Sequence, residues 1–443
     1  MANPIKDWES FMNPGLGFNS ASNTIRGQAV TVQPLQSTGD GQTILFSCHK
    51  TESVEDLCTQ IGLSVDASGS AGLFGGSDKF DFVQSKSLHS FSVFMVVSIN
   101  VKNATQHMLG EQLLPAAAEL LSSGDNDRFL ATFGDYYIKG VESGGEFFAI
   151  IEIQTSDTND QSAISNSLDV AGFFGDGGVD LKSNFTSKFQ KVTQSRSLDI
   201  SSYQRGGQGE GAKQKVTPGE LLDKALNFAN DVFAHPTPYR AELQDYVALD
   251  PPKPPNVIDI QNAKDVLQQF ATNRNILLQF INDVTFILSN PDQFDTPKAS
   301  VDLNALANQA REMINEIKQA ASSCMDDVRA CKLITINLPD RSVLPSRKQG
   351  AKKVTIPSVV GKVAEDAHTT LAALGLQSSS EPTPVETSAA LYEIQKEQGV
   401  EPQVGHVLSQ TPGAGEVVEQ GTTITLSVIS AVNFAPGTPL RQL

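Results

Sequence analysis

The 443-residue chain lacks an apolar run long enough to cross a bilayer as a helix. Its longest, Phe91 to Ile99, stops far short of the ~20 residues required. Catalytic motifs are also missing. There is no His-Glu-x-x-His, no Gly-x-Ser-x-Gly, no phosphate-binding loop and no Cys-x-x-Cys, and the six histidines are scattered. An enzyme is therefore not expected, nor is a cofactor or a metal. Asp125-Asn126-Asp127 and Asp176-Gly177-Gly178 lack calcium-loop spacing and read as turns. Positive charge is scarce: 33 Lys and Arg stand against 50 Asp and Glu, for a net charge of −17, which excludes nucleic acid as a partner. No charged start followed by an apolar stretch follows Met1-Ala2-Asn3-Pro4, so no secretory signal is visible. Cysteine occurs four times. If 301–331 is one helix, Cys324 and Cys331 lie ~10 Å apart along it, beyond disulfide reach. Cys48 and Cys58 either pair across a hairpin or stay reduced.

What the chain does have is an internal repeat. Ala71-Gly72-Leu73-Phe74-Gly75 precedes Gln84-Ser85-Lys86-Ser87-Leu88, and Ala171-Gly172-Phe173-Phe174-Gly175 precedes Gln194-Ser195-Arg196-Ser197-Leu198. Two copies about a hundred residues apart are too few for a solenoid, and read as two related segments inserted into one core. Between them, Phe91 to Ile99 and Glu146 to Ile153 are rich in β-formers and predict strands of a central sheet. Phe133-Gly134-Asp135-Tyr136-Tyr137, six residues, then Gly144-Gly145 occupies the interval between the copies. Interior glycines mark bends or bulges.

That stretch resembles the signature of the membrane attack complex/perforin (MACPF) superfamily: aromatic, Gly, small polar, His, aromatic, six residues, Gly-Gly. Phe133, Gly134, Tyr137, Gly144 and Gly145 match. Asp135 stands where Ser or Thr is usual. Tyr136 replaces His, keeping a ring and losing a titratable group. Pro14-Gly15-Leu16-Gly17-Phe18-Asn19, then Thr24-Ile25-Arg26-Gly27, resembles the opening of many such domains. The resemblance implies an α+β fold: a bent central antiparallel β-sheet flanked by helical clusters, with Gly144 and Gly145 as the hinge. It also implies two membrane-inserting segments, about 62–90 and 165–198, each refolding into a β-hairpin. One spanning hairpin needs ~20–25 residues, and only closed barrels satisfy the backbone in lipid. Alternation in the second segment runs from Leu181 through Phe185 and Phe189 to Lys191, where a lipid-facing ammonium near mid-bilayer costs ~2–4 kcal/mol.

Residues 354–429 carry a second resemblance. Ile356-Pro357-Ser358-Val359-Val360-Gly361 and, later, Ser409-Gln410-Thr411-Pro412-Gly413-Ala414-Gly415 and Gly421 to Val428 resemble a PASTA domain (the penicillin-binding-protein and serine/threonine-kinase-associated module). That implies a small α/β domain, one helix on a three-stranded sheet. Ala364, Ala367, Leu371 and Leu374 have helical spacing, and Ala389 to Gln398 allows an extra short helix. Three Lys against nine Asp or Glu between 353 and 430 make the module acidic, so long-range electrostatics do not draw it to anionic polymers.

Between these parts, 205–212 reads as a flexible loop and Pro251 to Pro255 as a stiff spacer. Two amphipathic stretches follow, separated at Asn290-Pro291. One carries Val266, Leu267, Phe270, Arg274, Leu277, Leu278, Ile281, Val284 and Leu288. The other carries Leu303, Leu306, Ala310, Met313, Ile317, Ala320 and Cys324. They predict an antiparallel helical pair. Arg341, Arg347, Lys348, Lys352 and Lys353 form a basic linker, read as a solvated tether or a contact for anionic lipid. The expected organisation is a pore-forming core over 1–250, a helical extension over 251–340, the linker over 341–353, a PASTA-like domain over 354–430 and a tail over 431–443. The family resemblance implies a protein made soluble, released by a non-classical route or by lysis, that meets membrane lipids or a surface receptor. There it would assemble into a homo-oligomeric ring, with a cell-wall ligand for the C-terminal module. The rival reading is a non-lytic MACPF-like adhesion or scaffold protein tethered to bacterial cell wall.

Overall fold

The computed structural model describes residues 4–434 apart from 38, 40, 64–77, 171–174, 178–188, 190–196, 210, 214, 252, 296–300, 389–390, 393–394 and 397–400. The repeat residues Ala71, Gly72, Leu73, Phe74, Gly75, Ala171, Gly172, Phe173 and Phe174, and Lys191, lie outside the described residues. Gly175 is described, as the first residue of a short strand.

The strands of the large sheet are β1 (Ile5–Asp7), β2 (Leu16–Asn19), β3 (Thr24–Gln28), β4 (Gln36–Ser37), β5 (Gln42–Thr51) and β6 (Val93–Asn103). The others are β7 (Gln106–His107), β8 (Tyr136–Ile153), β9 (Gly175–Gly177), β10 (Leu198–Arg205), β11 (Gly211–Lys213) and β12 (Thr237–Asp245). The helices are α1 (Val54–Gln60), α2 (Asp78–Ser85), α3 (Pro115–Ser123), α4 (Asn126–Phe133), α5 (Thr158–Val170), α6 (Pro218–Ala234), α7 (Ile258–Ser289), α8 (Leu303–Asp326) and α9 (Ala364–Ala373). Five strands complete the chain: β13 (Lys353–Thr355), β14 (Gln377–Thr387), β15 (Val407–Thr411), β16 (Val417–Glu419) and β17 (Thr423–Phe434).

Two compact units result. The first comprises 1–154, 173–187 and 196–346, and the second 155–172, 188–195 and 347–443. In the first, one mixed-length sheet runs β1-β12-β8-β6-β5-β9, with β10 on β8 beside β12, and every pair in it is antiparallel. Strand β8 is its spine. The sequence predicted a strand beginning after Gly145, whereas β8 starts at Tyr136 and runs through the glycine pair. Over Tyr136–Gly144 its neighbour on one side is β12; over Glu146–Ile153 that place belongs to β10. Asp176 and Gly177, read from sequence as a turn, pair with β5 instead. Asp125 is a turn residue with a purpose, its carboxylate accepting from Arg128 N to cap α4.

Helices α7 and α8 form the expected pair, sharing a core of Leu267, Phe270, Leu277, Phe280, Val284, Ile287, Ala310, Ile314 and Ile317. Of the predicted stripes, Leu267, Phe270, Leu277, Val284, Leu303, Ala310, Ile317 and Cys324 are buried, and only the edges differ. Leu288 is exposed, while Ile287, Ile314 and Ala321 point inward. The cysteines need a correction. Helix α8 ends at Asp326, so Cys331 lies beyond it, and the chain folds back to bring the two Cα atoms within 4.3 Å; Cys324 and Cys331 are disulfide-bonded. Cys48 and Cys58 are free and buried, on β5 and α1, and burial pushes each thiol up to about 12.

The second unit holds α5 and the C-terminal module. A three-stranded sheet of order β14-β17-β15 has β14 parallel and β15 antiparallel to β17, and β13 pairs with β16. Ala367 and Leu371 of α9 pack with Ile356, Val359, Leu376, Val407, Ile424 and Leu426. The described residues of 389–398, namely Leu391, Tyr392, Gln395 and Lys396, are helical.

Candidate functional site

The signature residues and the glycine-rich opening interlock. Asp135 N donates to Phe18 O at 3.0 Å, and Phe18 bridges Gly134. A Cβ on Gly134 would lie 2.1 Å from Phe18 O, and one on Gly17 would lie 2.0 Å from Phe133 O. Two backbones meet here at a distance only glycine allows, and Gly134 also sits at φ +74°. The Asp135 carboxylate accepts from Ser20 N at 2.7 Å and Ser20 Oγ at 2.5 Å. Burial raises its carboxyl above the ordinary range, against the pull of the Ser20 hydrogen bonds. Phe133 O accepts from the buried Tyr246 hydroxyl at 2.9 Å, and the Tyr137 hydroxyl donates to Glu111 Oε1 at 2.9 Å. Tyr136 packs beside Phe18 and Ile138. Asp135 thus serves as a buried anchor for the chain start, a role the motif alone did not disclose.

The glycine pair lies at the point where β8 changes partner. A Cβ on Gly144 would lie 2.0 Å from Val101 O; its φ is +148°. One on Gly145 would meet Val232 of α6 at 2.7 Å and Arg205 O at 2.9 Å. Gly206, placed by sequence in a flexible loop, belongs to the same construction. Its φ is +79°, and a Cβ there would lie 2.5 Å from Gly144 O. The sequence signal for it was a Gly-Gly pair, indistinguishable from loop composition.

Next to the pair stands Glu146, with no solvent exposure. Lys79 Nζ is 2.6 Å from Glu146 Oε1 and 3.2 Å from the Asp7 carboxylate, and Arg240 is 3.5 Å from Glu146 Oε2. Neither Glu146 oxygen has a well-aligned hydrogen bond, so the attraction is a charge contact. Asp7 would be raised by burial, yet the charges of Lys79, Lys6 and Arg205 prevail and hold it below the ordinary range. Lys79 belongs to α2, in the stretch between β5 and β6, so a buried ion pair fastens that stretch to β8 beside the glycine pair. Charged residues this deeply buried need such partners.

The segments share one exit. Thr51 of β5 pairs with Phe94 of β6, Val93 of β6 with Ile153 of β8, and Ile153 with Leu198 of β10. Residues 52–92 and 154–197 therefore both leave from the same end of the contiguous ribbon β5-β6-β8-β10. Helix α7 holds both ends of the first. Gln279 Oε1 accepts from Val54 N at 3.0 Å, Asn282 donates to Leu88 O at 2.9 Å, and Asp283 accepts from Ser90 N at 2.7 Å while pairing with Arg341. Glu152 adds contacts to His89 at 3.2 Å and Ser92 Oγ at 2.8 Å. Arg341 is accordingly an anchoring residue rather than part of a solvated tether. Among the described residues, no group of three or more His, Cys, Asp or Glu is placed to hold a metal, and no helix is long and apolar enough to cross a membrane.

Comparison with known proteins follows from this geometry. The PASTA domain family model matches residues 354–430, so the C-terminal module is a PASTA domain. No curated protein matches the chain. Among solved structures the chain is similar to stonustoxin, with TM-score 0.39 and 8% identity over 74% of this chain and 43% of that one. It is also similar to a MAC/perforin-domain protein from Bacteroides thetaiotaomicron, with TM-score 0.28 and 15% identity over 61% of this chain and 62% of that one. A third is a non-hemolytic pneumolysin from Streptococcus pneumoniae, with TM-score 0.32 and 11% identity over 55% of this chain and 58% of that one. The chain spans 43% of the length of stonustoxin and 62% and 58% of the other two.

Proposed function

We propose that the chain is a perforin-like pore-forming protein. Subunits assemble side by side on a target membrane, and each contributes two β-hairpins to a shared barrel. One observation carries the reading: both inserted segments leave from one end of a contiguous four-strand antiparallel ribbon, with their four ends in register. Extending β5, β6, β8 and β10 past that end needs no change of strand order. The connections that hold segments 62–90 and 165–198 are each roughly 40 residues long, against the ~20–25 of a spanning hairpin. A closed barrel then pairs every backbone group that lipid cannot. Gly144, Gly145 and Gly206 supply the bend at the base of the ribbon, and Lys79 to Glu146 keeps the first segment folded until it is released. The PASTA domain serves as the recognition or stabilising module.

The test is dye release from liposomes of varied lipid extracts, with negative-stain electron microscopy of the same samples. Rings or arcs with leakage support the reading. Membrane-bound protein whose 62–90 and 165–198 segments stay protease-protected and unlabelled by lipid-phase probes refutes it.

A further inference from the structure

Helix α5 follows β8 after the four residues 154–157, at the head of the second segment. The first N–H groups of any helix lack intrahelical partners. In α5 the partners come from far along the chain. Thr158 N donates to Lys348 O at 3.2 Å and Asn159 N to Gln349 O at 3.1 Å, while the Asn159 side chain donates to Gly350 O at 3.2 Å. Asp160 N is served locally by the Asp157 carboxylate at 2.8 Å.

Side chains lock the same contact from both ends. Arg347 Nη2 donates to Thr155 O at 2.6 Å and Nη1 to Thr155 Oγ1 at 3.0 Å. Lys353 Nζ lies 3.2 Å from the buried Asp160 carboxylate and donates to Ser156 Oγ at 3.3 Å. Between them Gly350, at φ +65°, passes so close that a Cβ would lie 2.2 Å from the Asp157 carboxyl carbon. Lys353 then opens β13, which pairs with β16 of the PASTA domain. The basic run read from sequence as a tether is thus a fitted strap.

We propose that Arg347–Lys353 acts as a brake on pore formation: it caps α5 and keeps Thr158–Val170, at the head of the second segment, helical, and it must let go before that stretch can become strand. The proposal rests on the pore-forming reading. Its chemistry is simple. The carbonyls of 348–350 hold Thr158 and Asn159 in the helical form and have no counterpart in an extended one.

The experiment uses the full chain and two variants that attack the strap differently, Lys353→Ala at the ion pair and Gly350→Ala at the close approach. Lys352→Ala is the charge control, since Lys352 contributes its carbonyl to Gln420 N at 2.7 Å. Amide hydrogen exchange in solution is read first. Exchange at Thr158 and Asn159 is expected to rise about tenfold in both strap variants and in neither the control nor β6 and β8. Leakage from liposomes is read second, and should be several-fold faster in the strap variants at equal bound protein. Unchanged exchange overturns the strap. Faster exchange with wild-type leakage kinetics overturns its role as a brake. Leakage absent from wild type and variants alike sinks the pore-forming reading itself, and the brake with it, while the exchange still reports whether the strap caps the helix. A variant that unfolds is recognised by loss of protection throughout β6 and β8, and the other variant then decides.

Discussion

Replacing Lys79 by Met removes the principal cation from Glu146. Lys79 is 2% exposed and Glu146 not at all, so solvent screens neither charge. What remains for the carboxylate is Arg240 at 3.5 Å. Breaking a buried ion pair from one side costs about 3–5 kcal/mol, because the stranded charge keeps its desolvation penalty. Lys79→Met should therefore lower stability by about that much, a large share of the ~5–15 kcal/mol typical of a folded domain. Glu146→Gln should fall in the same range, since it strands the ammonium beside Asp7 alone. The double variant removes both charges and should recover much of the loss, giving a coupling on the order of 2 kcal/mol or more. Denaturant unfolding of the four proteins measures the cycle. Because Lys79 rides on α2 of the first segment, the single variants should also begin to leak dye at a lower temperature than wild type. A Lys79→Met variant within about 1 kcal/mol of wild type, or a double variant whose cost is the sum of the singles, would refute the latch.

Three further expectations use other parts of the molecule. Gly144→Ala places a Cβ 2.0 Å from the Val101 carbonyl at φ +148°, and should cost at least roughly 1–3 kcal/mol from backbone strain. In calorimetry this appears as a lowered Tm, and in sedimentation with liposomes as retained binding without leakage; a wild-type Tm with full leakage would remove the hinge assignment. Burial alone would raise the Glu152 carboxyl, but hydrogen bonds from His89 and Ser92, with the charges of His89 and Lys86, hold it below the ordinary range. A depressed carboxyl stabilises the fold above its unfolded value of ~4.3 and loses that contribution as pH falls toward its folded value. Glu152→Gln should accordingly flatten the acid limb of a stability-versus-pH curve, and an unaltered limb would contradict this. Replacing Cys324 and Cys331 together by Ala opens the loop that ties the end of α8, at a cost on the order of 2 kcal/mol by chain entropy. Mass spectrometry after thiol labelling under native conditions should find neither cysteine reactive in the wild type.

Much of the architecture was legible because it is written in local patterns. The β-formers of 146–153 and 91–99, the helical spacing of 266–288 and 303–324 and the two glycine-punctuated halves of the PASTA module each report on a few neighbouring residues. The helix boundary at Asp326 was not legible. Nothing in the spacing marked it, and with the helix carried to Cys331 the disulfide looked out of reach. The stripe on α7 and α8 was legible except at its edges, where Leu288 is exposed and Ile287 and Ile314 are buried, because periodicity gives a face but not the neighbour it meets.

The sequence by itself determined that the chain carries two related segments bracketing a strand-forming stretch with a glycine pair, followed by a separate acidic module, and that no ordinary membrane helix is present among its apolar runs. Tertiary structure alone decided how these parts are held. Asp135 meets Ser20 across 115 positions, the carbonyls of the strap meet α5 across about 190, and Lys79 reaches Glu146 from another element altogether. Such contacts have no local signature, because each partner is an ordinary polar residue in its own neighbourhood. They acquire meaning only when the tertiary fold brings distant residues to one buried site, where an unpaired charge or an uncapped helix end would be costly.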